Sequence, residues 1–534
     1  MADTHRFTRT LCAQLKTVPP HIAAAELHAY SYRDAPGFTA DGDDAADDPV
    51  VAQFASSSVP HTLRIGTGAS VFASQLLPAL LSARREVLLV TCFWAASKSL
   101  SDLSAALLRL AAARLPATPE SVPPLRIRIC FSSRSLLQKL LHTSSRDGYT
   151  YPPSTWEKDL GLPSPSVLRD AGIDLSVKSL FFLPFSVMHP KFMILDRKRA
   201  FLPSCNVSWE PWLEDCVEVT GDAVRPLLSF YAKTWRDTLP DWDDSGDGDD
   251  EARPDNVATT AASSPFHISP LDVDGPGSIV VRFPSPSTGA SATPIPTVIL
   301  PSSHHRNPLF RPFPWQDYAP PPPTPLNLAM LQLLSAATRH IYIQSPNFTV
   351  DAVTVALLAA LGRGVDVDIV TGARMMVYEQ ILTAGTTTGR CIRSFIKRYD
   401  ALAQQQQQQR RRPQNGVGRL HIAYYQPLDT TKKASDEEQA MLSSPQPAPV
   451  QPSTKTGGFA PATEQPVQSH IKMTIVDGEH TVLGSGNIDR ASFFTSQELG
   501  ILFHSTVFAE AAQTAVDRVL DGRTRTVYPA PFSE

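Results

Sequence analysis

One eight-residue pattern occurs twice in the 534-residue chain: His-x-Lys-x-x-x-x-Asp, at His189/Lys191/Asp196 and at His470/Lys472/Asp477. The agreement continues downstream of each histidine. Ser204 and Ser485 both stand fifteen residues on, Asn206 and Asn487 both seventeen, and Glu218 and Glu498 twenty-nine and twenty-eight. Core packing does not require polar residues to recur at fixed offsets, so the recurrence points to two copies of one structural unit, each supplying part of a site. A single copy would leave a structural reading about as good as a functional one. Two copies with matching tails do not.

Both copies read as strands, FSVMHPKFMILD and QSHIKMTIVDG, apolar or β-branched runs that end in a polar turn. Alternation along a strand places His189 with Lys191, and His470 with Lys472, on one face. Asp196 and Asp477 have the other parity and are expected to fix the strand end, as a salt bridge or turn cap. The segments PSCN (203–206) and GSGN (484–487) follow, with hydroxyl and amide groups able to donate to phosphoryl oxygens. Gly484 and Gly486 permit close backbone approach, whereas Pro203 and Cys205 give the first loop a different backbone. A carboxylate in each following run (DCVEVTG, SQELGILF) suits the second ring N–H of a histidine. The near-equal spacing selects Glu218, in preference to Glu214 and Asp215, and Glu498.

The surrounding elements also repeat in order. In the first half LRIGTG leads to the helical pattern ASVFASQLLPALLSA, strand EVLLVTCFW, helix SDLSAALLRLAAARL and strand LRIRICFSS. In the second, helix NLAMLQLLSAA is followed by strand HIYIQSPNF, helix DAVTVALLAALGRG and strand VDVDIVTG. Such alternation predicts parallel sheets with crossover helices. Capping residues lie between Asn347 and Asp351, and Gly362 and Gly364 supply a helix stop. The expected layout is an N-terminal segment (1–60), a first α/β domain (61–240), an acidic disordered linker (241–265) and a second α/β domain (266–534). Disordered inserts are expected near 401–416, around the glutamine run, and at 428–466; APPPPTP (319–325) reads as a polyproline spacer. Gln344 and Asn347 end a strand at the edge where open α/β sheets bind ligands, with helix capping an equal alternative for Asn347. In 379–398 a Gly/Thr cluster precedes Arg390, Arg393, Lys397 and Arg398. It could cradle a phosphate, but an ordinary loop before a basic amphipathic helix is the favoured reading.

Composition bounds the function. Lys and Arg number 48 against 52 Asp and Glu, a net charge of −4, which disfavours a general nucleic-acid binder. No run of eighteen apolar residues predicts a membrane span. Arg410, Arg411 and Arg412 could attract anionic lipid but are too few to constitute a membrane signal. The N-terminus has no apolar signal core; its Arg/Thr character faintly resembles a mitochondrial presequence, against which Asp3 argues. The six cysteines are dispersed. Cys92 and Cys130 read as buried thiols in apolar strands, and a disulfide or reactive thiol at Cys205 and Cys216 is the minor reading. A reducing, cytoplasmic setting and a monomer are expected, with peripheral membrane contact as a further option.

The duplicated residues resemble the phospholipase D superfamily, whose members carry two such motifs, usually with a G-S-x-N segment behind each. The second copy, HIKMTIVDGEHTVLGSGNIDRASFFTSQE, follows that pattern closely; the first keeps His, Lys, Asp, Ser and Asn but lacks the glycine, and Pro190 stiffens the chain between His and Lys. The resemblance runs from about residue 62 to the end, and the long low-complexity inserts resemble the fungal phospholipase-D-like proteins related to the cardiolipin-synthase branch. It implies two similar α/β sandwich domains packed with pseudo-two-fold symmetry and an active site at their interface. It also implies one histidine attacking phosphorus, the other protonating the leaving alcohol, and two lysines stabilising the equatorial oxygens, with no metal or other cofactor required. By family habit His189 is the nucleophile and His470 the acid. The implied substrate is a phosphodiester, above all a phospholipid; a nuclease using the same residues and a non-catalytic phosphate or lipid binder are the alternatives. Trp94, Trp209 and Trp212 near the expected site suit lipid and nucleic acid alike.

Overall fold

The computed structural model describes residues 2–18, 26, 31–34, 54–115, 124–135, 138–139, 147–182, 186–208, 211–241, 265–273, 275–284, 293–305, 320–409, 416–428 and 465–529, without the side chains of residues 2–5, 34 and 409. Helix α1 (Ala2–Lys16) comes first. The first half then builds on strands β1 (Ala55–Thr67), β2 (Glu86–Phe93), β3 (Leu125–Ser133), β4 (Ile173–Ser179), β5 (Phe192–Leu195), β6 (Arg199–Pro203) and β7 (Trp212–Thr220). Strands β2, β3 and β4 are parallel neighbours, with helix α2 (Lys98–Arg114) crossing between β2 and β3. Strand β5 closes antiparallel on β2, and β6 and β7 continue the sheet to β1. Helix α3 (Val224–Trp235) follows β7.

The second half repeats these pairings. After β8 (Ile279–Arg282) and β9 (Ile295–Ser302) come α4 (Pro325–Ala336), β10 (His340–Ser345), α5 (Asp351–Gly362) and β11 (Asp366–Thr371). Helices α6 (Val377–Ala384) and α7 (Thr388–Gln409) lead to β12 (Leu420–Tyr425). Strands β10, β11 and β12 are parallel, and β13 (Gln468–Ser469) precedes β14 (Met473–Val476), which closes antiparallel on β10 as β5 does on β2. Strands β15 (His480–Gly484) and β16 (Glu498–His504) continue the sheet to β9, and helix α8 (Thr506–Leu520) follows. The long strand β1 belongs to both halves: Ala55–Ser58 pair with β9, and the remainder with β7. The architecture is a mixed α/β fold on one large sheet network.

Apolar burial explains the layering. One cluster holds only first-half residues such as Leu103, Leu107, Ile127 and Leu195, and a second lies on the far side of the other half around Leu333, Leu357 and Ile369. The third joins the halves. Leu213 and Val217 of β7 meet Ile475 of β14 and Ile501 of β16 there, with Phe230 and Trp235 of α3 and Phe508 and Val516 of α8 in the same cluster. Removing this shared apolar surface from water at about 25 cal/mol per Å² is what holds the two motif-bearing sheets together.

Local chemistry accounts for several boundaries. Thr324 caps α4 through its side chain and Pro325 takes the first helical turn, so the end of the polyproline run is a helix start. Asn347 is not a helix cap: Val350 occupies that position without a side-chain bond. The glutamine run, expected to be disordered, extends α7 to Gln409 instead. Glutamine is a good helix former, Leu402 packs on the second-half core, and Gln406 Nε2 donates to Gly362 O at 3.1 Å. Residues 242–264, Arg410–Arg412 and 429–464, which include most of the expected linker and inserts, lie outside the described residues, as does Trp209. The N-terminal segment is not separate from the second half: Leu11, Cys12 and Leu15 of α1 are buried with Leu326, Met330 and Leu333. Among the described residues all cysteines are free thiols, and no helix is long and apolar enough to cross a membrane.

The motif aspartates fix hairpins. Asp196–Arg197 and Asp477–Gly478 all take positive φ, the tight turn that matches strand twist, joining β5 to β6 and β14 to β15. Asp196 accepts the N–H groups of Arg84, Arg85 and Glu86 at 2.7–3.0 Å, at the start of β2. Asp477 likewise accepts from Thr338, Arg339 and His340 at 2.7–3.0 Å, and from Thr338 Oγ1. Burial raises the Asp477 carboxyl, but these N–H donors outweigh it and hold the group below its ordinary 3.8. Its contribution to stability is therefore present above that value and lost as pH falls through the folded value. Asp477→Ala, which strands the donors at the strand start, is expected to cost about 2 kcal/mol. Urea unfolding at neutral pH checks this; a loss below about 0.5 kcal/mol would show the turn holds without its carboxylate.

Candidate active site

The two His-x-Lys segments do not lie within continuous strands. Each falls in a break, between Ser186–Val187 and β5 in the first copy and between β13 and β14 in the second. The reason is a change of partner. Immediately before and at the histidine the main chain bonds to the other half, although Ser186–Val187 also pair with Phe181–Phe182 of their own half; after the lysine it pairs with its own sheet. Thus Met188 bridges Gln497, and His189 N donates to Gln497 O at 3.0 Å, before β5 joins β2. In the second copy β13 runs parallel to β7 and His470 N donates to Leu213 O at 2.8 Å, before β14 joins β10. Pro190, which has no N–H, sits in the first break at no cost to the ladder.

This exchange sets the site chemistry. Each histidine bonds, through its main chain, to the residue preceding a glutamate of the opposite half, and its ring then meets that glutamate. His189 Nδ1 lies 2.9 Å from Glu498 Oε2, and His470 Nδ1 lies 3.0 Å from both oxygens of Glu214. A carboxylate on Nδ1 holds the proton there and leaves Nε2 as the reactive nitrogen. Ser204 Oγ donates to Glu214 Oε2 at 2.6 Å, and Ser485 Oγ donates to Glu498 Oε2. Lys191 Nζ donates to His189 O at 2.9 Å, and Lys472 Nζ to His470 O. The Trp212 ring lies tilted against the His470 ring, with centroids 5.0 Å apart.

Several expected residues therefore take other places. Glu218 is the main correction: it pairs with Arg199 at 2.7 Å and accepts from Thr62 Oγ1, away from the histidines. Glu214 does the orienting. The equal-offset rule failed because the Ser-to-Glu connection differs in length between copies: ten residues from Ser204 to Glu214, thirteen from Ser485 to Glu498, where Arg490–Phe494 forms an extra helical turn. Position near the start of a strand was the usable signal, since both glutamates occupy it. The loop serines face the glutamates, not open space for a phosphoryl group. Asn206 Oδ1 accepts from the N–H groups of Cys92 and Phe93 at 3.2 and 3.1 Å, and Asn487 Nδ2 donates to Asp489 at 2.9 Å.

The altered first loop still places its serine as the second does. Ser204 N donates to Asp215 O as Ser485 N donates to Leu499 O. Gly484 reaches that geometry at φ +148°, where a Cβ would stand 2.3 Å from Leu499 O. Gln344, expected at a headgroup, is engaged internally: Nε2 donates to Ser469 Oγ at 2.8 Å and Oε1 accepts from Tyr342, so it braces the residue before His470. Asn347 is held between Gln380 and Asp489. The Gly/Thr segment before α7 is a capping loop, with Thr388 N donating to Gln380 Oε1 at 2.6 Å. Trp94 is buried and bonds Leu160 O.

Burial governs the charges. His470 is 4% exposed, and its ring is held well below its ordinary 6.5, first by desolvation and then by Lys472, Lys191 and His189. His189 is lowered too, by burial first; Glu498 offsets part of that, while Lys191 and Lys472 add to it. Burial brings Lys472 down to about 7 against the pull of Glu214, and raises Glu214 to about 7 against Lys472 and the Ser204 hydrogen bond. Asp215, beside it in sequence, is raised to about 7 by burial. The site is a desolvated cluster in which burial disfavours the charged forms of both imidazoles and of Lys472.

An anion entering the site favours the protonated forms and raises the depressed His and Lys values, so inorganic phosphate bound at pH 7 is expected to take up about one proton. Calorimetry in buffers of different ionisation enthalpy measures this; proton release would contradict the charge arrangement. Glu214→Gln is expected to lower turnover by about a hundredfold, whereas Glu218→Gln leaves it within about twofold. Steady-state rates on one phosphodiester substrate distinguish the two, and equal losses would return Glu218 to the site.

Comparison with known proteins bears on the same residues. Residues 330–520 match the family model described as cardiolipin synthase, PLD-like domain, a span that includes the whole second motif and its glutamate. Compared with curated proteins, the chain has no significant match. Among solved structures it is similar to phosphatidylserine synthase of Haemophilus influenzae Rd KW20, at 11% identity over 88% of this chain and 89% of that one, with a TM-score of 0.47. It is also similar to polyphosphate kinase from Porphyromonas gingivalis (9% identity, 88% and 48% covered, TM-score 0.41). A third is the phospholipase D family member Nuc of Salmonella typhimurium (19% identity, 38% and 90% covered, TM-score 0.22). The similarity to the cardiolipin synthase, PLD-like domain thus covers residues 330–520, which carry one His-x-Lys motif, and the first half brings its counterpart to the same site.

Proposed function

We propose that the chain cleaves a phosphodiester by a two-step displacement and that its substrate is a phospholipid. The observation that carries this reading is the pair of imidazoles, each held at Nδ1 by a glutamate of the opposite half, with a lysine two residues from each. In the first step His189 Nε2 attacks phosphorus, the bond to the leaving oxygen breaks, and His470 supplies the proton that the alcohol carries away. In the second, water or an acceptor alcohol gives its proton to His470 and attacks phosphorus, and the P–N bond breaks. Lys191 and Lys472 offset the charge that develops on the equatorial oxygens, worth several kcal/mol in a water-poor site. Burial, by keeping His189 neutral in the free site, supplies an unprotonated nucleophile near neutral pH.

The phospholipid assignment rests on the family described for residues 330–520 and on the chain's net charge of −4, which is unfavourable for following a nucleic-acid backbone. A screen of phospholipids with an added primary alcohol, run beside single-stranded and duplex DNA, tests it: choline, glycerol or serine release together with an alcohol-exchanged lipid is expected, and cleavage of DNA alone would replace the lipid reading. Roles within the pair are separable with a substrate whose leaving group needs no proton. His470→Ala is then expected to accumulate a phosphoenzyme at His189, visible by intact mass, while His189→Ala forms none; the reverse pattern would exchange the two roles. A chelator is expected to leave the rate unchanged.

A further inference from the structure

We propose that helix α6 and the start of α7 form a docking face for an anionic phospholipid bilayer at the rim of the site. Among the described residues eight large apolar side chains are exposed, and three of them lie on this one helix: Tyr378 at 76%, Leu382 at 60% and Ile381 at 49%. They stand three and four residues apart, so they make one stripe along the helix. The opposite side is buried through Gln380, whose amide meets Asn347 Oδ1, Met375 O and Thr388 N. The apolar stripe is therefore an outward face on a helix that is anchored, not a frayed segment.

Charge selects the occupant. Three residues after α6 ends, α7 begins, and it presents Arg390, Arg393 and Lys397 as exposed cations at helical spacing, while Ile392 and Phe395 between them are buried. None of the three forms an ion pair among the described residues; Arg398, which points elsewhere, pairs with Asp351 at 2.8 Å. Arg374, before α6, is also exposed, and Glu379 is the one acidic residue between 372 and 398. An aromatic and two aliphatic side chains beside a row of unpaired cations match a bilayer interface carrying anionic headgroups: apolar groups enter the headgroup boundary and cations meet the surface potential. A purely apolar partner would leave the cations unmatched, and a nucleic acid would leave Ile381 and Leu382 unmatched.

The face is also coupled to the site. Gln380 Nε2 donates to Asn347 Oδ1 at 2.8 Å, Asn347 Nδ2 to Asp489 at 3.3 Å, and Asn487 Nδ2 to the same Asp489 oxygen at 2.9 Å. Three side-chain bonds thus link the outward helix to the GSGN turn. Contact with a bilayer at α6 would present the site to lipid headgroups, which is the point where this inference rests on the phosphodiesterase reading.

Flotation of the full chain with vesicles of phosphatidylcholine, and with vesicles of phosphatidylcholine mixed with phosphatidylglycerol, reads the surface apart from catalysis. The chain is expected to bind the anionic vesicles at least about tenfold more strongly than the neutral ones. The triple variant Tyr378→Ser/Ile381→Ser/Leu382→Ser is expected to lower binding to both vesicle types by about tenfold, and Arg390→Gln/Arg393→Gln to remove the anionic preference. Both are expected to turn over a monomeric short-chain phosphodiester at the native rate, and His189→Ala/His470→Ala to bind vesicles as the native chain does. The proposal is overturned if the native chain binds neither vesicle, or if both surface variants bind unchanged. It is equally overturned if the serine variant's effect is only to dissociate a dimer or to release single-stranded DNA. Vesicle binding without turnover of any phosphodiester would keep the surface and refute the activity, so the two failures are distinguishable.

Discussion

The site depends on an exchange of carboxylates. Glu214, from the first half, holds His470; Glu498, from the second, holds His189. Neither motif histidine is held by a carboxylate of its own half. The exchange is anchored in the backbone, because each histidine N–H donates to the carbonyl of the residue before the glutamate that its ring meets. A ring bound to a carboxylate on a separate loop would drift with that loop. Here ring and carboxylate sit on adjacent parallel segments, so their separation is fixed by the spacing of sheet neighbours. The shared apolar cluster beneath, with α3 and α8 inside it, keeps the two sheets in that register.

Burying so many ionisable groups together is costly unless they compensate one another. Two carboxylates, two imidazoles and two ammonium groups share the site, and the serine hydroxyls donate to the carboxylates. What remains is a cluster in which burial and mutual repulsion make the imidazolium forms and the Lys472 ammonium unfavourable. The charge of a bound phosphate group would relieve the repulsion by pairing with the lysines. The same reasoning explains why the loop serines, which the sequence offers as phosphate donors, are committed to Glu214 and Glu498: an unsatisfied buried carboxylate would cost more than a lost ligand contact.

Much of this was legible in the chain. Alternating strand and helix patterns identified β2, α2, β3, β10, α5 and β11, because amphipathic periodicity and burial are local properties. The repeated His, Lys, Asp, Ser and Asn identified the motif residues, and the strand-end parity of Asp196 and Asp477 separated them from the histidines. What sequence could not supply was pairing between distant segments. Glu218 was preferred on spacing that assumed equal loops, whereas Arg490–Phe494 lengthens only one of them. The break in each motif strand was invisible because it arises from a change of partner, not from any residue in it; Ile471 would sit comfortably in an uninterrupted strand. The glutamine run misled in the opposite direction: its composition suggests disorder, but Leu402 and Gln406 give it a packed side.

Helix α1 carries a different lesson. Its buried side chains lie among residues such as Leu326 and Met330, which the chain reaches some three hundred positions later, and β1 waits for β9 in the same way. During synthesis α1 therefore has no surface on which to settle until the chain through α4 has emerged. The first half cannot complete itself and release its beginning. Such long-range closure makes folding slow and leaves an apolar helix face uncovered in the meantime. Helix α1 and strand β1 thus wait on segments made hundreds of residues later, and the order in which ribosomes deliver the sequence is not the order in which the molecule is finished.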